Sequence, residues 1–313
     1  MPCRFIVISD THFVAPPADR EGTWWNRTTH RYSQKMGEAL VELVSSLAPD
    51  FVIHCGDLTG WDSKANCELS IEFMDKLGCP WYGTPGYHDT QHPHGRELFN
   101  ETFGLNGRTW SYLRDVGGLR FFFLDVVHWH ADSGESFPFY DMEQDNSGRI
   151  VGMGYAECDL VWLERELEQT NRPSVIVTHA PICFRDTYPL KTLPYGKPVM
   201  RKMTPPSEFI NDMIGRKKLS ELIRGNSSVK ACFAGHWHIN DAVVSDGVLY
   251  VMTGALREFP YEVRLVEYTG SSLCISTHSL NVPELREISF VKEWNNEWVK
   301  GEQDVRNIIF TFL

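Results

Sequence analysis

The sequence predicts a layered α/β domain, and three observations predict it. Short runs rich in β-branched or aromatic residues recur along the chain, amphipathic helical stretches lie between the early ones, and after about residue 229 the runs follow one another directly. The runs at 5–8, 51–54, 80–82, 120–127, 174–177, 230–233, 248–252, 262–267 and 273–277 read as strands. Several are apolar throughout, as in strands covered on both faces. Residues 33–47 place Met36, Leu40, Leu43, Val44 and Leu47 on one stripe, with Ser33 as the expected N-cap. Segments 62–77 and 156–169 carry similar stripes. This order predicts an early βαβα portion and a second, more antiparallel sheet.

No repeat or linker divides the 313 residues. The expected organisation is a main domain over 1–280 and a C-terminal extension over 281–313. Trp294, Trp298 and Phe310 make that extension aromatic. It is expected to pack on the domain or against a second subunit, so a homo-oligomer is an option. Two stretches, 14–29 and 184–206, lack periodicity and are rich in proline. Long irregular loops of this kind are expected to be binding loops or lids that set specificity.

Composition narrows the function. Apolar residues at 42% and charged residues at 23% suit a globular chain with a sizeable core. Thirty basic against 41 acidic residues give a net charge of −11. That balance argues against a broad nucleic-acid or anionic-membrane surface, which needs clustered Lys and Arg. A small anionic substrate stays open, because a bound metal outweighs the global charge locally. No apolar run approaches the ~18–20 residues of a membrane span. The N-terminal residues pass straight into a strand without the pattern of a secretory leader. Eight cysteines are scattered with no CxxC pair. A reducing, cytoplasmic setting is expected.

The chemistry lies in where Asp and His fall relative to the strands. Asp10 and His12 follow the first strand, and their i, i+2 spacing in extended chain predicts side chains on one face. Asp57 follows the second strand, and Gly86-Tyr87-His88-Asp89 follows the third. His179 follows the 174–177 run, and Gly235-His236-Trp237-His238 follows the 230–233 run. All lie past the C-terminal ends of strands, where open α/β sheets place their ligand sites. Three carboxylates and five histidines thus converge on one rim. Hard oxygens with borderline imidazoles suit Mn, Fe, Co or Zn better than Ca or Mg alone. The set exceeds the needs of one ion, so two metals are implied. Two ions ~3.5–4 Å apart can bridge a water, lower its pKa and clamp a phosphoryl group. Of the other histidines, His54 reads as core. His30, His92, His94 and His278 read as surface or loop residues, and His128 and His130 as candidates to line the cleft.

Asp10-x-His12, Gly56-Asp57, Gly86-Tyr87-His88-Asp89, His179 and Gly235-His236-x-His238 together resemble the calcineurin-like metallophosphoesterase superfamily. The resemblance spans about residues 4–256. The run from Ile8 to Phe13 is nearest the branch of class III cyclic-nucleotide phosphodiesterases and glycerophosphodiesterases. The resemblance implies a four-layer αββα sandwich of two mixed sheets flanked by helices. It also implies that Asp10, His12 and His238 hold one metal, that Asp57 bridges, and that His179 and His236 hold the second. The metals implied are divalent or mixed-valence Mn, Fe or Zn. A bridging hydroxide would attack phosphorus while His88 assists the leaving group and Asp89 orients His88. Tyr87 departs from the family pattern, which has an Asn ligand there. A phenol reaches further than an amide, so Tyr87 is expected as a substrate wall beside the metal, as a phenolate ligand, or as the mark of a weak second metal.

The expected function is hydrolysis of a small phosphomonoester or phosphodiester. Two other readings stand beside it: a scaffold with a degraded site, as the superfamily's retromer subunit resembles, and an iron-dependent redox enzyme tuned by Tyr87. Trp24, Trp25 and Tyr195 join His128 as candidate substrate contacts.

Overall fold

The computed structural model describes residues 2–17, 25–90, 92–103, 111–138, 150–185, 213–290 and 296–312. Strands Cys3–Ile8 (β1), Phe51–His54 (β2) and Trp81–Gly83 (β3) run parallel in the order β1-β2-β3. On the other side of β1, strands Glu262–Tyr268 (β13), Ser272–Ser279 (β14) and Asn307–Thr311 (β15) continue the same sheet by antiparallel pairing. The second sheet holds Tyr112–Val116 (β4), Leu119–Leu124 (β5), Ser174–Thr178 (β9), Val229–Ala234 (β10), Asp241–Ser245 (β11) and Val248–Met252 (β12). Its order is β11-β12-β10-β9-β5-β4, parallel from β12 to β5 and antiparallel at both edges. A small third sheet joins His128–Ala131 (β6), Ser136–Phe137 (β7) and Ile150–Gly154 (β8).

The period of two along β1 explains the layering. Phe5 and Val7 face the second sheet and pack with Phe51, Phe121, Phe123, Val175, Val177 and Phe233. Ile6 and Ile8 face the other way, onto Met36, Leu40 and Val44 of the Ser33–Leu47 helix and Phe73 and Met74 of the Lys64–Asp75 helix. On the far face of the second sheet, Phe122, Leu124 and Ile176 meet Leu160, Leu163, Leu219 and Ile223, from helices Glu157–Glu168 and Arg216–Gly225. The result is helix, sheet, sheet, helix. Phe5 stands at its centre, stacked on Phe51 at 5.0 Å and edge-on to Phe121 and Phe233 at 5.5 and 6.0 Å.

Four expectations change. The late strands do not build a separate antiparallel sheet, because β13 pairs directly with β1 and merges both chain halves. Ser33 is the first helical residue, not the cap; its hydroxyl donates to the His30 carbonyl and accepts from the Val14 amide, so it ties a loop instead. The expected strand at 120–127 stops at Leu124, where Asp125 folds back on the Val127 amide at 2.8 Å. His30 is buried, edge-on to Trp61, rather than at the surface. Among the described residues no helix is long and apolar enough to cross a membrane.

Candidate metal centre

The ends of β1 and β2 in one sheet face the ends of β9 and β10 in the other. Asp10, Asp57, His179, His236 and His238 leave those ends. Backbone bonds knit the turns: Asp10 N–H to Gly56 O at 3.0 Å, His12 N–H to Asp57 O at 3.0 Å, and Gly235 N–H to His179 O at 2.9 Å. Side-chain bonds cross between the sheets as well, among them His236 N–H to Asp10 Oδ2 at 2.9 Å. Convergence does not come from strand alternation, as the i, i+2 spacing suggested. Asp10, His12, Asp57, His236 and His238 all adopt left-handed backbone, with φ of 52°, 44°, 56°, 70° and 58°. Asp and His tolerate that region better than most residues, and such strain concentrates at functional sites. Two glycines permit the close approach. A Cβ on Gly86 would fall 2.1 Å from Asp57 Oδ1, and one on Gly235 would fall 1.7 Å from Ser9 Oγ.

Two donor groups result, Asp10–His12–His238 and Asp57–His179–His236, and His12, Asp57 and His88 form a third between them. Asp57 Oδ2 lies 3.7 Å from His12 Nε2 and 3.4 Å from His179 Nε2. Hydrogen bonds choose which imidazole nitrogen is left to ligate, because a carbonyl only accepts. His179 Nδ1 donates to the Cys55 carbonyl at 2.8 Å, which leaves Nε2 toward Asp57. His238 Nδ1 meets Glu258 Oε1 at 2.7 Å, which leaves Nε2 3.2 Å from Asp10 Oδ1. His88 Nδ1 donates to the Gly60 carbonyl at 2.8 Å, and the His88 amide donates to Asp57 Oδ1 at 2.8 Å.

These residues fit metal ions on the chemistry of the donors. Asp10 Oδ1 is buried without a hydrogen bond, while His238 Nε2 and His12 Nε2 stand 3.2 and 3.8 Å away. His12 Nε2 and His238 Nε2 face each other at 3.3 Å, as do His179 Nε2 and His236 Nδ1 at 3.1 Å. Lone pairs crowded this closely in a buried site require positive charge between them. Without metal, protons supply it. Burial pushes the His179 pKa down, but the Asp57 and Asp10 charges outweigh burial and raise it to about 9. Burial opposes protonation of His238 too, yet Glu258 and Asp10 raise its pKa well above the usual imidazole range. Burial keeps His12 low, and burial with the His179 charge lowers His236 to about 4.

The remaining expected residues divide. Asp89 does not orient the His88 ring. Its buried carboxylate accepts the amides of Leu58, Thr59 and Gly86 at 3.1, 2.8 and 2.9 Å and the Thr59 hydroxyl at 3.1 Å, so it staples two loops. Ring orientation comes from Gly60 O, a backbone atom that side-chain patterns do not reveal. Tyr87 stands edge-on to His88 at 5.1 Å and to Trp129 at 5.7 Å between ring centres. His128 does not line the cleft. Its Nε2 lies 3.1 Å from Asp125 Oδ2, within a buried cluster where Arg96 also pairs with Asp125 at 2.6 Å. Alternation along β6 turns the neighbouring Trp129 toward Tyr87 instead. Trp24, Tyr195 and the Trp25 side chain lie outside the described residues, as does most of the 184–206 stretch. Glu258 was missed; only its buried contact with His238 marks it.

Comparison with known proteins follows the same lines. The model of the calcineurin-like phosphoesterase family matches residues 3–240, and the chain belongs to that family. Over 252 residues it is 21% identical to the uncharacterized protein YvnB of Bacillus subtilis, covering 74% of this chain but only 16% of that protein. The chain therefore spans a small part of the curated relative it matches. Its fold is similar to that of a dimetal phosphatase from Danio rerio, with a TM-score of 0.67, 14% identity and 99% coverage of both chains. It is also similar to a purple acid phosphatase from yellow lupin seeds, with a TM-score of 0.55 and 12% identity over 89% of this chain and 52% of that one.

Proposed function

We propose that the chain hydrolyses a small phosphate ester at a two-metal site. The observation that carries this reading is the position of Asp57 Oδ2, between His12 Nε2 at 3.7 Å and His179 Nε2 at 3.4 Å. One carboxylate oxygen shared by two donor groups is what a bridging ligand requires. Asp10, His12 and His238 would hold one ion, and His179 and His236 the other, with Asp57 between. When bound, the pair would acidify a water and neutralise phosphoryl charge.

The chain's own residues do the rest. Glu258 holds His238 in the tautomer that presents Nε2. The Gly60 carbonyl and the Asp57 carboxylate fix the His88 ring and backbone, leaving His88 Nε2 to protonate or steady the departing oxygen. Asp89 acts through loop position, not by touching substrate. The edge-on contacts of Tyr87 with His88 and Trp129 support a wall for the substrate's organic portion. The catalytic domain is taken as residues 1–280. The pairing of β15 with β14 supports an extension, 281–313, that packs on that domain. A reducing, cytoplasmic compartment belongs to the same reading, supported by eight free cysteines.

The test is metal analysis combined with turnover of p-nitrophenyl phosphate and its bis ester after reconstitution with Mn, Fe or Zn. Two bound ions with ester hydrolysis support the proposal. A protein that binds neither ion and cleaves neither ester is a scaffold, and iron bound without hydrolysis is the redox alternative.

A further inference from the structure

A second constellation of metal-ligating side chains lies apart from the donor groups described above. Asp62, His92 and His94 each offer a ligand atom within 4.8 Å of the others. Asp62 follows the loop that carries Gly60, while His92 and His94 open the Pro93–Phe103 helix. Asp62 has a side chain 1% exposed, whereas that of His92 is 64% exposed. Yet His92 Nδ1 lies 2.7 Å from Asp62 Oδ1, and His94 Nε2 meets the Asp62 carbonyl. The two rings stack, 5.5 Å apart and 18° from parallel. Two imidazoles, a carboxylate and a backbone carbonyl therefore converge on one side of a loop.

We propose that Asp62, His92 and His94 bind a further divalent cation of the zinc class. Two nitrogens and one carboxylate oxygen make a borderline donor set, suited to Zn, Co, Ni or Cu rather than to Mg or Ca. Three protein ligands leave at least one coordination position for solvent. The ion would not act on substrate. It would tie the Gly60–Asp62 loop to the segment that follows His88 and Asp89. The Gly60 carbonyl already orients the His88 ring at 2.8 Å, so this ion is a brace behind that contact. The hydrogen bonds within the cluster offer a plainer role, in which Asp62 caps the helix by accepting the His92 amide. Metal binding separates the two roles.

The proposal does not depend on the two-metal reading, since it shares no ligand with it. The test is zinc titration of the protein carrying its tightly held metals, followed by competition with a chromophoric chelator and by calorimetry. The comparison is with a His92→Gln/His94→Gln double variant, which keeps hydrogen-bonding side chains. A His278→Gln variant controls for loss of a histidine elsewhere. The wild type and the control should bind one more zinc per chain than the double variant, or bind it more than about 10-fold tighter. The wild type should also gain thermal stability with zinc, which the double variant should not. Equal zinc stoichiometry and affinity in all three folded proteins would overturn the proposal. Loss of the tightly held metals on Asp57→Ala, with this zinc site intact, would show the two sites to be independent.

Discussion

His238 Nδ1 stands 2.7 Å from Glu258 Oε1, and the Glu258 side chain is fully buried. That contact decides which ring nitrogen faces the Asp10–His12–His238 group. It places the proton on Nδ1 and turns Nε2 to Asp10. A carboxylate behind a ligating imidazole both fixes its orientation and raises its basicity. Replacing Glu258 by Gln keeps the shape and removes the charge. Metal affinity should fall ~10–100-fold at the Asp10–His12–His238 group, measured by chelator competition. Unchanged affinity would show that Glu258 only fills space.

His88 gives a different signature. It sits between the two groups but is held by Gly60 and by its own amide. His88→Ala should keep the metal content and slow turnover by ~10²–10⁴, most for esters with poor leaving groups. Lost metal would make His88 a ligand. Equal losses across leaving groups would leave it an electrostatic role alone.

Metal removal should be coupled to protons. In the metal-free protein His179, at about 9, and His238, raised well above its usual value, are both protonated at neutral pH. Each must lose that proton to ligate. Rebinding metal near pH 7 should release about two protons per chain, and apparent affinity should rise as pH rises toward 9. Calorimetry in buffers of different ionisation heat reads the count. No proton release would mean the metals bind elsewhere.

Phe5 tests the packing that positions the rim. It carries no site function, yet β1 leads directly to Asp10. Phe5→Ala should cost ~3–5 kcal/mol in chemical denaturation, because three ring contacts are lost at the centre of the sandwich. A loss below about 1 kcal/mol would contradict the central role given to it.

Much of this was legible in the chain. The apolar runs announced the central strands, and Asp10, His12, Asp57, His88, His179, His236 and His238 all fall at their ends, as read. What was hidden has physical causes. Left-handed turns at Asp10, His12, Asp57, His236 and His238 follow from tertiary bonds, not from local pattern. The role given to Asp89 passed to a backbone carbonyl. His128 pointed inward because a buried arginine, Arg96, and a buried aspartate, Asp125, lie on that side of β6. Glu258, twenty residues beyond His238 in the chain, carries no motif at all.

The central claim is that Asp57 joins two metal groups into one catalytic centre. The most direct measurement is metal content and ester turnover, taken together, on purified Asp57→Ala with a wild-type circular dichroism spectrum. The account predicts that both collapse, since His12 and His179 lose the oxygen they share. A folded Asp57→Ala protein that retains two metals per chain and wild-type turnover would contradict it.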